Sequence, residues 1–368
     1  MNRIWVQCVK EWVQFRRDRL TVALAILLPL ATFFIFGFAI RLEAKDIPIV
    51  VQDFDRSPLS RQYVDQLFAT NQFQPVRWSG GDPITHALDP GIAKAAVVIP
   101  PDFSREIKAG RSSTIQVLVD GTDANNARVI QNSLKATTNA FLGSSGLVSL
   151  QPKVAARTRI WFNPGRKESL YIVPGVFGLV LWVYPSLLAA LAMVREKERG
   201  TILQVYASTL SATELLLGKA LTYIFVGIAE AIVVITLGVI LFRLELAAEP
   251  TSLLLGTLIY ISASTMFGLM VGTRAANQNA AVQGVATVGF LTALLLSGFI
   301  YPLSNIPFPL SLISNVVPAR YYIELTRDAF VRGTGWLGVW WMLLIMAVLC
   351  FFFFNVARRT LSRMQLPD

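Results

Sequence analysis

Histidine and cysteine are nearly absent. Across 368 residues there is one histidine, His86, and there are two cysteines, Cys8 and Cys350. A single histidine excludes a multi-histidine metal site, and His86 reads as a solvated surface residue. The long polar segment 41–170 contains no cysteine, which excludes a disulfide framework there. Charge is scarce as well: 15% of residues are charged, against about 25% in an ordinary soluble domain. Nucleotide and hydrolase motifs are missing. Gly218-Lys219 is followed by Ala220, so no G-x-x-x-x-G-K-[ST] exists, and there is no G-x-S-x-G, H-E-x-x-H or Cys/His cluster. No catalytic residue, metal site or bound cofactor is therefore expected in this chain. The formal charge of +10 comes without an aromatic-interleaved basic patch, so nucleic acid is not an expected partner.

What the chain has in excess is apolar sequence, 54% of residues, gathered in blocks. Six runs stand out, at 20–40, 171–193, 219–242, 252–272, 282–302 and 336–356. At 1.5 Å per residue each is long enough to cross a hydrocarbon core of roughly 30 Å. A purely soluble protein, a disordered chain and a collagen are all excluded. The first run is too long for the apolar core of a signal peptide and has no small-x-small site after it. Short loops then set orientation. Twelve Lys and Arg lie in 1–19, 194–218, 273–281 and 357–368, against four in 243–251 and 303–335. The positive-inside rule places both termini in the cytoplasm and 41–170 outside.

Residues 41–170 read as an inserted α/β domain, with strands at 47–52, 95–99 and 114–119 and an extended stretch at 74–78. Between them fall helices at 59–70, 83–88, 101–109 and 123–142. The carboxylate pair Asp53/Asp55 is a conceivable cation site. Asp120-Gly-Thr-Asp123 reads more simply as a turn and helix cap. A further polar stretch, 303–335, holds an external helix, or a helical re-entry, over 316–330 at the outer interface. At the N-terminus, Ile4, Trp5, Cys8, Val9, Trp12 and Val13 form one apolar helical face, expected to lie in the inner interface. Inside the third run, Glu230 is an intramembrane carboxylate, a functional candidate by its cost alone; an interhelical hydrogen bond or a protonated packing residue also accounts for it. Gly268-x-x-x-Gly272 reads as a close-packing face.

The most informative stretch follows the second run. Arg195-Glu-Lys-Glu-Arg199 is an alternating charge cluster, Gly200 breaks the helix, and Ile202, Leu203, Val205 and Tyr206 form a short amphipathic segment. Ser211 then opens another helix with Glu214 in capping-box register.

This stretch resembles the permeases of ABC-2 type exporters, whose pattern is R-E-R-E-x-G-T-[LI]-[ED]-x-L-x-x-[ST]-P-[LI]-x-x-x-E-x-x-x-G-K. Arg195, Glu196, Glu198, Gly200, Thr201, Ile202, Glu214, Gly218 and Lys219 match, while Thr209 replaces the usual proline. The later Val317-Pro-Ala-Arg-Tyr-Tyr-Ile-Glu-Leu-Thr-Arg327 is similar to the family's N-P-x-x-Y-x-x-x-x-x-R, with Val317 in place of Asn and with Tyr321 and Arg327 as its external-helix positions. The resemblance implies a six-span permease of the drug-export branch, in a bacterial inner membrane, moving hydrophobic or amphiphilic substrates. It implies that Arg195, Glu196, Lys197, Glu198, Arg199, Gly200, Thr201 and Glu214 couple to a separate ATPase subunit, which carries the ATP and Mg. It further implies a second permease, identical or paralogous, and a periplasmic adaptor for the large external domain. Its substrate path would run between the second and fifth spans, past Trp182, Tyr184, Gln283, Ser297 and Phe299. Two alternatives stand beside it: an ion-coupled secondary transporter using Glu230, and a non-transporting envelope scaffold or sensor.

Overall fold

The computed structural model describes residues 2–39, 46–78, 80–122, 124–144, 162–163, 167–201 and 210–362. Two units separate, Met1–Ile40 with Arg159–Asp368, and Arg41–Thr158.

The second unit is a four-stranded sheet with helices. Its elements are β1 (Ile47–Asp53), α3 (Pro58–Ala69), β2 (Phe73–Pro75), a π-type turn at Ile84–Leu88, β3 (Ala95–Ile99), α4 (Phe103–Lys108), β4 (Gln116–Val119) and α5 (Ala124–Ser144). Strand order is β2-β1-β3-β4. β1 pairs in parallel with both β2 and β3, and β4 runs antiparallel to β3. Parallel neighbours need crossovers, and α3 is the crossover from β1 to β2. Pleat alternation sends Ile47, Ile49, Val97 and Ile99 to one core with Tyr63, Leu67, Phe103, Ile130 and Phe141. Val50 and Ala96 go to the other face, with Ala87 and Ala93. Helix α3 starts where Ser57 accepts from the Ser60 amide and Pro58 takes the first helical position.

The acidic pairs are used in turns. Asp53 accepts from the amides of Asp55 and Arg56 and from the Ser60 hydroxyl. Asp120 accepts from Lys94 at 2.8 Å and from Thr122, and these bonds hold its carboxyl well below the usual carboxylate range. Asp123 lies outside the described residues.

The first unit carries the helices of the apolar runs: α2 (Arg19–Ala39), α6 (Ser169–Glu198), α7 (Ala212–Phe242), α8 (Pro250–Arg274), α9 (Gln278–Leu296) and α12 (Trp336–Ser362). All six are long and apolar enough to cross a membrane. The amphipathic α1 (Asn2–Arg17) precedes them. The short α10 (Leu310–Ser314) and α11 (Pro318–Arg327) stand between α9 and α12.

Helix α6 is the centre of the bundle, buried along most of its length. Its neighbours approach closely at glycines. A Cβ on Gly268 would overlap the Ser186 carbonyl, and one on Gly272 would come within 2.6 Å of the Ala190 carbonyl oxygen. The fifth apolar run is shifted from its expected 282–302. Helix α9 begins at Gln278, capped by Asn277, contains a π-type stretch at Val285–Phe290, and ends at Leu296. Gly298, at φ 82°, and Pro302 turn the chain away there.

Helix α11 is not a surface appendage. Tyr322 stacks on Tyr260 of α8, ring centroids 4.0 Å apart, and the Thr326 hydroxyl donates to the Pro174 carbonyl of α6 at 3.2 Å.

Candidate coupling site at the charged end of the bundle

Helix α6 keeps its helical form through the charge cluster and stops where Gly200 adopts φ 67°, a conformation a side chain disfavours. Helix α7 starts with a full capping box: Ser211 accepts from the Glu214 amide, and the Glu214 carboxylate accepts from the Ser211 amide at 2.8 Å. Residues 202–209, with Ile202, Leu203, Val205, Tyr206 and Thr209, lie outside the described residues.

The charged side chains of Arg195, Glu196 and Lys197 turn inward, and Glu198 stays exposed at the surface. Arg195 donates to Asp18 at 2.7 Å and to the Thr21 hydroxyl at 2.8 Å, joining α6 to the α1–α2 junction. Thr21, bonding through both its hydroxyl and its amide, and the Arg195 guanidinium hold the Asp18 carboxyl below its usual range. Glu196 is buried between Lys10, at 2.6 Å, and Lys219, at 3.2 Å. Lys197 donates to the Thr273 and Ala275 carbonyls at the C-terminus of α8, where a cation is electrostatically favoured. Glu198 accepts from the Gln278 amide and side chain, placing an anion at the N-terminus of α9. Arg199 and Gly200 are exposed, and the Thr201 hydroxyl returns to the Glu196 carbonyl at 3.2 Å.

Lys219 is the centre of the arrangement. It is fully buried and lies 2.7 Å from Glu11 and 3.3 Å from the Ala192 carbonyl oxygen. Burial raises the Glu11 carboxyl above its ordinary range, against the pull of the Lys219 ammonium. Lys10, Glu11, Glu196 and Lys219 thus form a neutral cluster of two ammonium and two carboxylate groups. Gly218 makes room for it. A Cβ there would lie 2.6 Å from the Gln7 side chain, so the glycine lets α1 lie against α7. The packed face of α1 is the polar one, with Gln7 and Glu11 buried beside Cys8. Trp5, Val9, Trp12 and Val13 of the apolar face point outward. Five elements, α1, α2, α7, α8 and α9, are therefore tied to the last turn of α6.

Residues 19–358 match the ABC-2 family transporter protein family. The chain belongs to the ABC-2 transporter family. Among its relatives, the probable multidrug ABC transporter permease YbhS of Escherichia coli (strain K12) is 26% identical over 345 residues, covering 90% of this chain and 89% of the relative. The probable multidrug ABC transporter permease YbhR of the same strain is 25% identical over 354 residues, 94% of this chain and 95% of the relative. The inner membrane transport permease YhhJ is 28% identical over 331 residues, 86% of each.

The other predicted positions of this ABC-2 chain scatter. Trp182 stacks between Tyr260 and Phe267 and borders a cavity of about 500 Å³ with Thr292, Val316 and Phe353. Tyr184 hydrogen-bonds Thr32 of α2, on a different side of α6. Gln283 is exposed, Ser297 bonds back to the Ala293 carbonyl, and the Phe299 ring fills the space left by Gly175. Glu230 is 7% exposed, neither of its oxygens has a hydrogen-bond partner among the described residues, and it borders an apolar cavity of about 210 Å³ with Trp12, Pro29 and Val226. The Tyr321 hydroxyl donates to the Asn315 carbonyl at 2.7 Å, and Arg327 stacks on Tyr171.

Sequence reasoning passed over Lys10, Glu11, Asp18 and Gln278. A signal was there for Glu11, the only acid in a helix whose other charges, Arg3, Lys10, Arg16 and Arg17, are all basic.

Proposed function

We propose that this chain is the membrane-spanning subunit of an ATP-driven exporter, energised by a separate ATPase that holds the ATP and Mg. The observation that carries the reading is the set of bonds tying α1, α2, α7, α8 and α9 to the last turn of α6. Such a joint converts a push on the adjoining 199–214 stretch into a displacement of most of the bundle. In this reading the charges of 195–198 hold the joint together, and the exposed Arg199, Gly200 and capped Glu214 end meet the ATPase. The largely apolar cavity beside Trp182 suits hydrophobic or amphiphilic substrates, in keeping with the multidrug names of two relatives. The assembly would pair two permeases in a bacterial inner membrane, with termini cytoplasmic and 41–170 periplasmic, where an adaptor docks.

The test is coexpression with the neighbouring ATPase. Arg199→Glu should reduce ATPase copurification severalfold while the permease still folds. Arg195→Ala should leave copurification in place and lower transport-linked ATP hydrolysis. Export that continues with a hydrolysis-dead ATPase would refute the proposal. The buried carboxylate of Glu230 favours a second reading, ion-coupled transport. That reading requires Glu230→Gln to abolish flux; ATP-driven export predicts that flux persists in this variant.

A further inference from the structure

At the end of α6 remote from the charge cluster, a cation is left with open donors. The Arg327 guanidinium is buried, at 9% exposure, and sits 3.9 Å from the centroid of the Tyr171 ring. Its Nε and Nη2 have no hydrogen-bond partner among the described residues. The nearest carboxylate, Glu324, is 3.9 Å from Nη1 and makes its closer contact with Arg332, at 2.9 Å. Two guanidinium groups against one carboxylate leave a net positive charge. Arginine cannot shed its proton to relieve this, and a buried donor without a partner is costly.

The same residues stand at the edge of a cavity. A cavity of about 410 Å³ is lined by Tyr171, Gly298, Leu303, Glu324, Arg327 and Arg332. A planar guanidinium with two free N–H directions matches the oxygens of a phosphate group. The source of that phosphate follows from the surroundings. Leu303 gives one wall an apolar surface, and the chain beyond Arg332 enters α12 through the exposed Trp336, Leu337, Trp340 and Trp341. Tryptophans clustered at the end of an apolar helix mark the level of lipid headgroups.

We propose that this cavity is a phosphate site, with Arg327 as its buried ligand and Arg332 at its mouth, occupied by the headgroup of a phospholipid. The site is independent of the export reading, because it requires neither ATPase nor substrate.

The experiment uses the full chain, delipidated in neutral detergent, with thermal unfolding followed against three additives: dihexanoyl phosphatidylglycerol, dihexanoylglycerol and inorganic phosphate. Phosphatidylglycerol should raise the unfolding midpoint of the wild type, and dihexanoylglycerol should not. Arg327→Gln should weaken the phosphatidylglycerol effect about tenfold to a hundredfold in apparent affinity, the scale of a charge-assisted hydrogen bond. An Arg327-dependent rise with inorganic phosphate alone supports the phosphate site and assigns it to the free ion. Equal responses of wild type and Arg327→Gln, or an equal rise with dihexanoylglycerol, would overturn the proposal. So would no response to either phosphate compound. Should Arg327→Gln not fold, Arg332→Gln carries the test, since that side chain is 46% exposed. It should lose affinity a few-fold, and an unchanged affinity overturns the site.

Discussion

The two halves of α6, a helix of 30 residues, are held by opposite means. In its last turn, between Arg195 and Glu198, every side chain is charged, and each charge has a partner on another element. Over the rest of its length the contacts are steric. Phe299 lies in the gap at Gly175, Ile323 in the gap at Gly178, and α8 presses Gly268 and Gly272 onto the α6 backbone. Most polar bonds over this length go to main-chain carbonyls, such as Tyr260 to Gly178 and Ser264 to Trp182, with the Tyr184–Thr32 hydroxyl pair as a side-chain bond among them. In hydrocarbon, helix association relies on close packing and small residues, because lipid is as apolar as leucine. Near the boundary, strong charge pairs become affordable and give the joint a defined geometry. Arg327 departs from this pattern at the opposite end, where its charge is only half answered by the protein.

Three substitutions probe the contrast. The largest effect is expected from Lys219→Met, which among the described residues leaves Glu11 and Glu196 buried with Lys10 as their only nearby cation. Breaking a buried ion pair from one side costs about 3–5 kcal/mol, and the unfolding midpoint in detergent should drop accordingly. Adding Glu11→Gln should recover a large part, which separates a lost charge balance from lost packing. Gly268→Ala tests the steric half. The new methyl meets the Ser186 backbone, which cannot rotate away, so about 1–3 kcal/mol should be lost, with no dependence on salt. The smallest effect belongs to Asp18→Asn. Its carboxyl is held below the ordinary value of about 3.9, so the pairing stabilises above that pH and fades as the pH falls through the folded value. With its side chain 35% exposed, solvent screening keeps the pair near 0–1 kcal/mol. Unfolding midpoints across that acid range should fall more for the wild type than for the variant; parallel curves would remove Asp18 from the joint.

Much of the architecture was legible because its signals are local. Apolar run length located the membrane helices, short apolar runs located β1 and β3, and Gly200 and Ser211/Glu214 marked a helix stop and start. The Gly268/Gly272 spacing announced close contact, and the two glycines meet the α6 backbone. The charge joint was not legible. Its pairs are separated by as many as 208 residues, and nothing in Glu11 or Lys219 alone names the other. The cluster 195–199 also looked like a docking surface, since a run of alternating charge normally faces water. Here Glu196 is buried and the remaining charges of 195–198 are taken up by helix ends. The shift of α9 was hidden because Ser297–Tyr301 is as apolar as a helix interior, and only the left-handed turn at Gly298 ends the helix.

The separation in sequence has a consequence for biogenesis. Lys10 and Glu11 leave the ribosome long before Glu196 and Lys219, which follow 186 and 208 residues later. At roughly 5–20 residues per second, α1 waits about ten to forty seconds for its counter-charges. During that interval Glu11 has neither Lys219 nor Glu196 beside it. Closing the joint is therefore a late event, possible only once α6 and α7 are in place. A chain truncated before Lys219 would leave Glu11 of α1 beside Lys10 without its closest counter-charge, a chemical flag by which unfinished copies differ from finished ones.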